Sequence, residues 1–202
     1  MDKERLEKQI AFILEADQEK NITRQTHLTR HGRNENDAEH AWHMAVIAWL
    51  LKEYSNSEID IARTMMMCLI HDIVEIDAGD TYAYDEEGLK TQKAREEAAK
   101  ERIFALLPDD QRDELTALFD EFEAFETPES CFAHAMDNFQ PFLLNDSNGG
   151  GDWREHQVSI SKVLGRQTKS AKGSRELADY VLEKLEDHVK RGNIIEDREK
   201  SE

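Results

Sequence analysis

Residues 3 to 16 carry Leu6, Ile10, Ile13 and Leu14 at helical spacing, which predicts an amphipathic helix there. Residues 20 to 33 break that pattern and read as a loop. At Asn36-Asp37-Ala38-Glu39 the spacing of a capping box starts a second helix. Ala41, Met44, Ala45, Ala48 and Leu51 give it one inner face as far as about Tyr54. Ser57-Glu58-Ile59-Asp60 opens a third helix. It runs through the apolar stretch Met65 to Ile70 into His71-Asp72, passes Ile73-Val74 to Glu75, and ends near Gly79-Asp80. Thr81 to Glu87, with Tyr82 and Tyr84, reads as a loop, and alternating Glu and Lys residues mark a solvated helix from roughly Gly88 to Leu107. Pro108-Asp109-Asp110 restarts a helix to about Phe125. Thr127-Pro128-Glu129 starts another over about 129–145, since proline suits a first turn. Asn145 to Gly151 reads as a flexible loop, and its three glycines fit no phosphate-cradling motif. Asp152-Trp153-Arg154-Glu155 has capping-box spacing. Leu177, Val181, Leu185 and Val189 define a last helix from Ser174 to Lys190, followed by a polar, frayed tail from Gly192. No run of alternating strand residues stands out, so the expected fold class is all-α.

A chain of 202 residues suits one domain with a substantial core, here expected at about 5–190 within a single unit 1–202. Acidic residues number 44 against 26 basic ones, for a net charge of −18, which argues against DNA, RNA or an anionic membrane as partner. No 18-residue apolar run exists, and Met1-Asp2-Lys3-Glu4-Arg5 lacks a secretory apolar segment. Cys68 and Cys131 sit in apolar helical surroundings and read as reduced, buried thiols of a cytoplasmic protein.

Candidate chemistry begins in the apolar stretch. An imidazole and a carboxylate at His71-Asp72 cost several kcal/mol per unpaired ion to desolvate. A metal ion is one compensation, and a self-satisfied His–Asp pair is the other. Glu75 lies four residues past His71, beside it on a helix. His40 and His43, one turn apart, raise metal binding above the expectation for a lone core histidine. Asp137 again sits among apolar neighbours, although a helix-face carboxylate turned to solvent has the same pattern. Residues 20 to 33 hold Lys20, Arg24, His27, Arg30, His31 and Arg33 with no acid among them, which suggests an anion site in an acidic protein.

With these residues the chain resembles the HD-domain family of metal-dependent phosphohydrolases. The family's histidine, distant His-Asp doublet and later aspartate fall on His40, His71-Asp72 and Asp137. Glu35 to His40, His71 to Asp80, and Ala135-Met136-Asp137 resemble the 5'-deoxynucleotidase-like branch more closely. That resemblance implies a helical bundle of the HD type, with His40, His71, Asp72 and Asp137 as ligands of one divalent ion. Imidazole and carboxylate donors without thiolate suit Mn, Co, Ni, Zn or Fe and do not separate them. Such an ion acidifies its water, and the hydroxide would attack phosphorus in line. Glu75 and Asp80 are similar to the branch's acidic catalytic residues, one handling the water and the other the leaving oxygen or the sugar. Arg24 is similar to a phosphate-binding arginine, with Gln25 departing from the expected neighbour, and Arg33 is a second phosphate candidate. His43 and Asp77 are expected to play supporting or structural parts. The implied activity is phosphate release from (deoxy)nucleoside 5'-monophosphates by a homodimer. Hydrolysis of a nucleoside triphosphate or a signalling pyrophosphate, and metal-stabilised binding without turnover, are the competing readings.

Overall fold

The computed structural model describes residues 2–81 and 86–198, so Tyr82 and Tyr84 lie outside the described residues. Helix α1 (Lys3–Ala16) passes through a 3-10 turn, Asp17–Asn21, into two short antiparallel strands, β1 (Thr23–His27) and β2 (Asn34–Asn36). β1 occupies part of the stretch expected as a loop at residues 20 to 33, and this small sheet is the one departure from an otherwise helical architecture among the described residues. The strand sequences, TRQTH and NEN, contain no apolar residue, so no alternation betrays them. Side chains and neighbouring segments hold them instead: Asn34 Nδ2 donates to the Arg24 carbonyl, and Asn148 Nδ2 donates to the carbonyl of Leu28 just past β1. Arg30 and His31 take left-handed φ values of 62° and 53° at the tip.

Helix α2 (Asp37–Leu51) starts with the expected capping box, since the Asn36 and Glu39 side chains each accept from the other's backbone N–H. Helix α3 (Ile61–Ile70) is capped by Asp60, the last residue of the expected opening Ser57–Asp60 and three residues past its start. It does not run on to Gly79. The chain turns tightly over His71–Val74 and resumes as the single turn α4 (Glu75–Ala78). Ile73 N donates to the Ile70 carbonyl and Glu75 N to the Asp72 carbonyl, the i→i+3 pattern of a tightened coil. On a regular helix the adjacent residues His71 and Asp72 would diverge; the tight turn lets both face one point.

Helices α5 (Glu86–Phe104), α6 (Asp109–Ala124) and α7 (Pro128–Ser147) follow, α7 capped by Thr127 with Pro128 in its first turn. The segment after α7 is packed rather than loose: Asn148 is buried and accepts from His31 N. Asp152 does not cap the short α8 (Gly151–Glu155); its carboxylate accepts from both the backbone N–H and Nδ1 of His27. A helix the hydrophobic pattern did not flag, α9 (Ile160–Ser170), precedes α10 (Arg175–Lys190), which Ser174 caps. Just past Gly192 the chain is tied down at Ile194, which is buried, and at Ile195, which is bridged to Ser159.

The core gathers where α2, α3 and α7 pack on one another, around Met44, Met67, Ile103, Phe104, Phe132 and Met136. Burying each such side chain contributes on the order of 2 kcal/mol. Cys68 and Cys131 are both unpaired and buried. Among the described residues no helix is long and apolar enough to cross a membrane.

Candidate metal centre and substrate cavity

Three elements bring four predicted residues to one place. His40 comes from the first turn of α2, His71 and Asp72 from the turn after α3, and Asp137 from the middle of α7. His40 is completely buried and His71 nearly so. His40 Nε2 lies 3.2 Å from Asp137 Oδ1 and 3.9 Å from Asp72 Oδ2. His71 Nε2 lies 3.1 Å from Asp72 Oδ1 and 3.9 Å from Asp137 Oδ1.

The other ring nitrogens decide what those four atoms can be. His71 Nδ1 is 2.9 Å from the Cys68 carbonyl, which can only accept, so Nδ1 carries the proton. Gln140 Nε2 donates to Glu35 Oε2 at 2.8 Å, which turns Gln140 Oε1 towards His40 Nδ1 at 2.9 Å as an acceptor. In its neutral form each ring would therefore turn an Nε2 lone pair towards carboxylate oxygens. Lone pair against lone pair at these distances is repulsive, and His71 Nε2 is buried without a hydrogen-bond partner. A cation between them removes the conflict. Two imidazole nitrogens and two carboxylates make a suitable donor set for a divalent ion, and His40, His71 and Asp72 can offer ligand atoms all within 4.8 Å of one another.

Titration follows the same conflict. Burial opposes a charged His71, but Asp72 and Asp137 outweigh it and push the ring up to about 9. Burial opposes ionisation of Asp72 and Asp137 too, yet the two histidines draw both carboxyls below their usual range. Glu75, buried beside the site with Oε2 unpartnered, is pushed up to about 10 by burial and then by Asp72 and Asp80. Asp80 is raised by burial against the pull of Arg24.

A cavity of about 450 Å³ opens from this centre, lined by Asp72, Glu75, Asp80 and Asp137 and by Arg24. Arg24 is the one cation of residues 20–33 that lines it, and it is heavily engaged. Its Nη1 donates to Asp72 Oδ2 at 2.8 Å and to Asp37 Oδ1 at 3.2 Å, and its Nε lies 3.5 Å from Glu35 Oε1. Burial pushes Asp37 up to about 8 and Glu35 to about 7, with Arg24 pulling each back down. Arg33 does not reach the cavity; it pairs in solvent with Glu39, the capping-box acid of α2. His43 Nδ1 lies 3.2 Å from Gln140 Nε2, and Asp77 is held at the surface by Arg102, so both support structure.

Sequence reasoning did not single out Gln140, Asn138 or Arg166. Gln140 had one available signal, its position three residues beyond Asp137 and so on the same helix face. Another signal was Pro141 inside α7: proline has no N–H, so it cannot donate to the Asp137 carbonyl four residues earlier.

A helical bundle with a buried His, His-Asp and Asp centre is the HD arrangement, and the chain belongs to the HD-domain family, whose model matches residues 16–178. A protein of Magnetospirillum magnetotacticum described as a predicted metal-dependent phosphohydrolase has a crystal structure that matches with a TM-score of 0.89 and 45% identity, over 94% of this chain and 95% of that one. Human 5'-deoxynucleotidase HDDC2 is 32% identical over 111 residues, 55% of this chain and 53% of the relative. The 5'-deoxynucleotidase of Citrobacter koseri is 25% identical over 165 residues, 77% of this chain and 80% of that protein. The chain thus spans about half the length of HDDC2 in the match.

Proposed function

We propose that this protein is a divalent-metal-dependent phosphomonoesterase that releases phosphate from (deoxy)nucleoside 5'-monophosphates. One observation carries the reading: two histidine Nε2 atoms and two aspartates converge beside an open cavity, with His71 Nε2 buried and without a hydrogen-bond partner. His40, His71, Asp72 and Asp137 would hold a divalent ion, which would supply Lewis acidity towards a water and a phosphoryl oxygen. The chain's own residues do the rest. Arg24 holds the phosphate, relinquishing part of its contact with Asp72 and Asp37. Glu75 Oε2, buried and unpartnered, is placed to carry a proton to or from the attacking water. Asp80 protonates the leaving oxygen or binds the sugar. Phe142, Trp153 and Val163 add an apolar wall suited to a base.

The resemblance to HDDC2 and to the Citrobacter protein supports a nucleotide substrate. The balance of −18 speaks against nucleic-acid polymers as substrate or partner. Trp42, Trp49, Leu50, Met66 and Leu69 leave apolar surface open on α2 and α3, which fits a homodimer. A monomer in analytical ultracentrifugation at working concentration rules that assembly out. Two unpaired buried thiols suit the cytoplasm.

The activity test is inorganic phosphate release from a panel of nucleoside monophosphates with Mn, Co, Ni, Zn or Fe. Release is expected with at least one metal. Asp72→Ala should lower it by at least about 100-fold and lose the bound ion, since even partners one shell beyond a ligand are worth 10–100-fold. No release from any substrate–metal combination refutes the proposal.

A further inference from the structure

Arg166 belongs to α9, the helix that hydrophobic patterning passed over. Ile160, Val163, Gln167 and Ser170 are buried along one side of α9, which packs on α7, and half-buried Arg166 lines the same cavity as Asp72 and Asp137. Its side chain is positioned, not loose. Arg166 Nε donates to Asn138 Oδ1 at 2.9 Å, and Asn138 Nδ2 donates to the His134 carbonyl at 3.0 Å. The second bond fixes which way the Asn138 amide faces, so the acceptor offered to Arg166 is the oxygen. Asn138 immediately follows Asp137 in α7.

What Arg166 lacks is an acid. Arg5, Arg24, Arg33, Arg63, Arg102 and Arg198 each sit within 4 Å of a carboxylate. No such ion pair reaches Arg166 among the described residues, although five carboxylate residues line its cavity. Those five are Asp72, Glu75, Asp80, Asp137 and Asp152. Arg166 is still near enough for its charge to favour the ionised forms of Asp80 and Asp137. Arg24, by contrast, is shared among Asp72, Asp37 and Glu35. A phosphate dianion entering an acidic cavity needs positive charge that is not already spoken for, and a guanidinium fork matches phosphate oxygens two at a time.

We propose that Arg166 binds the phosphate group of the substrate through its two Nη groups, as a phosphate ligand in addition to Arg24. The inference rests on the phosphomonoesterase reading for its substrate, and on the cavity alone for its anion. Asn138 is then a positioning residue that aims the guanidinium.

The test uses the full chain loaded with its active divalent ion, in the parent and in Arg166→Gln and Arg166→Lys. Three quantities are measured: kcat and KM for the best monophosphate, inhibition by inorganic phosphate, and inhibition by the matching nucleoside. Arg166→Gln should weaken inorganic phosphate by about 10- to 100-fold and lower kcat/KM comparably, while nucleoside inhibition stays within about twofold. Arg166→Lys, which keeps charge but lacks the fork, should fall between the two, and it decides alone if the glutamine variant does not fold. Unchanged phosphate inhibition in a folded variant overturns the inference and leaves the phosphomonoesterase reading standing. Equal loss of phosphate and nucleoside affinity also overturns it, because that marks a structural role. A parent that binds inorganic phosphate but never releases it from a monophosphate refutes the enzymatic reading, and Arg166 is then judged on phosphate affinity. A parent that binds no phosphate at all overturns both.

Discussion

Helix α7 carries two buried histidine–carboxylate clusters, and they differ in what is left over. Near its C-terminal end, Asp146 Oδ1 meets His188 Nε2 at 2.9 Å, while His188 Nδ1 meets Asn193 Nδ2 at 2.9 Å. Both ring nitrogens have one partner each, Trp153 packs edge-on against the ring, and nothing is owed. In the middle of α7, His40 and His71 spend Nδ1 on Gln140 and the Cys68 carbonyl, and their Nε2 atoms are left to face Asp72 and Asp137. Residue types and burial are nearly the same in the two places. The difference is a surplus of acceptors at one of them, which a cation resolves and a hydrogen bond within the protein does not. That surplus, rather than the presence of a buried histidine, separates a candidate metal centre from a stapled core.

One substitution in each cluster sharpens the contrast. Gln140→Ala removes the acceptor that fixes the His40 tautomer, and it frees Glu35 as well. Metal affinity, measured by titration into the chelator-treated protein, should fall towards the upper end of about 10–100-fold, with the fold intact. His188→Ala should do the opposite. It leaves metal affinity unchanged and lowers unfolding stability by about 2 kcal/mol in urea, as a satisfied buried polar link is lost. Equal effects of the two changes on metal binding would remove the distinction.

Much of the fold and of the candidate centre was legible in the sequence, and for the helices the reason is local. Asn36 with Glu39, Thr127 with Pro128, and Ser174 all act within one helical turn, and each cap lies where the pattern puts it. His40, His71, Asp72 and Asp137 carry a family pattern, and the structure brings them together. Illegible features depend on partners far along the chain. Asp152 has the spacing of a cap, yet its carboxylate serves His27, 125 residues away. The strands at Thr23–His27 and Asn34–Asn36 are polar throughout; α9 is the exception, since Ile160, Val163 and Leu164 stand at helical spacing and the signal, though local, was passed over. The break at His71 follows from the need to aim two adjacent side chains at one point, which no propensity encodes.

The smallest predicted effect concerns two arginines that look alike in sequence and differ in surroundings. Arg24 lies in the cavity among Asp72, Asp37 and Glu35, whereas Arg33 pairs with Glu39 in solvent. An exposed ion pair contributes about 0–1 kcal/mol, because water screens it and two long side chains must be ordered to form it. Arg33→Gln should therefore leave the urea unfolding midpoint unchanged and phosphate release within about twofold of the parent. Glu39 still accepts from Asn36 N without Arg33, so the capping box of α2 survives the change. A loss of phosphate affinity in Arg33→Gln comparable to that expected at Arg166 would move the anion site out of the cavity to the hairpin. Charge in residues 20–33 would then matter as a whole, and the burial of Arg24 would not be what distinguishes it.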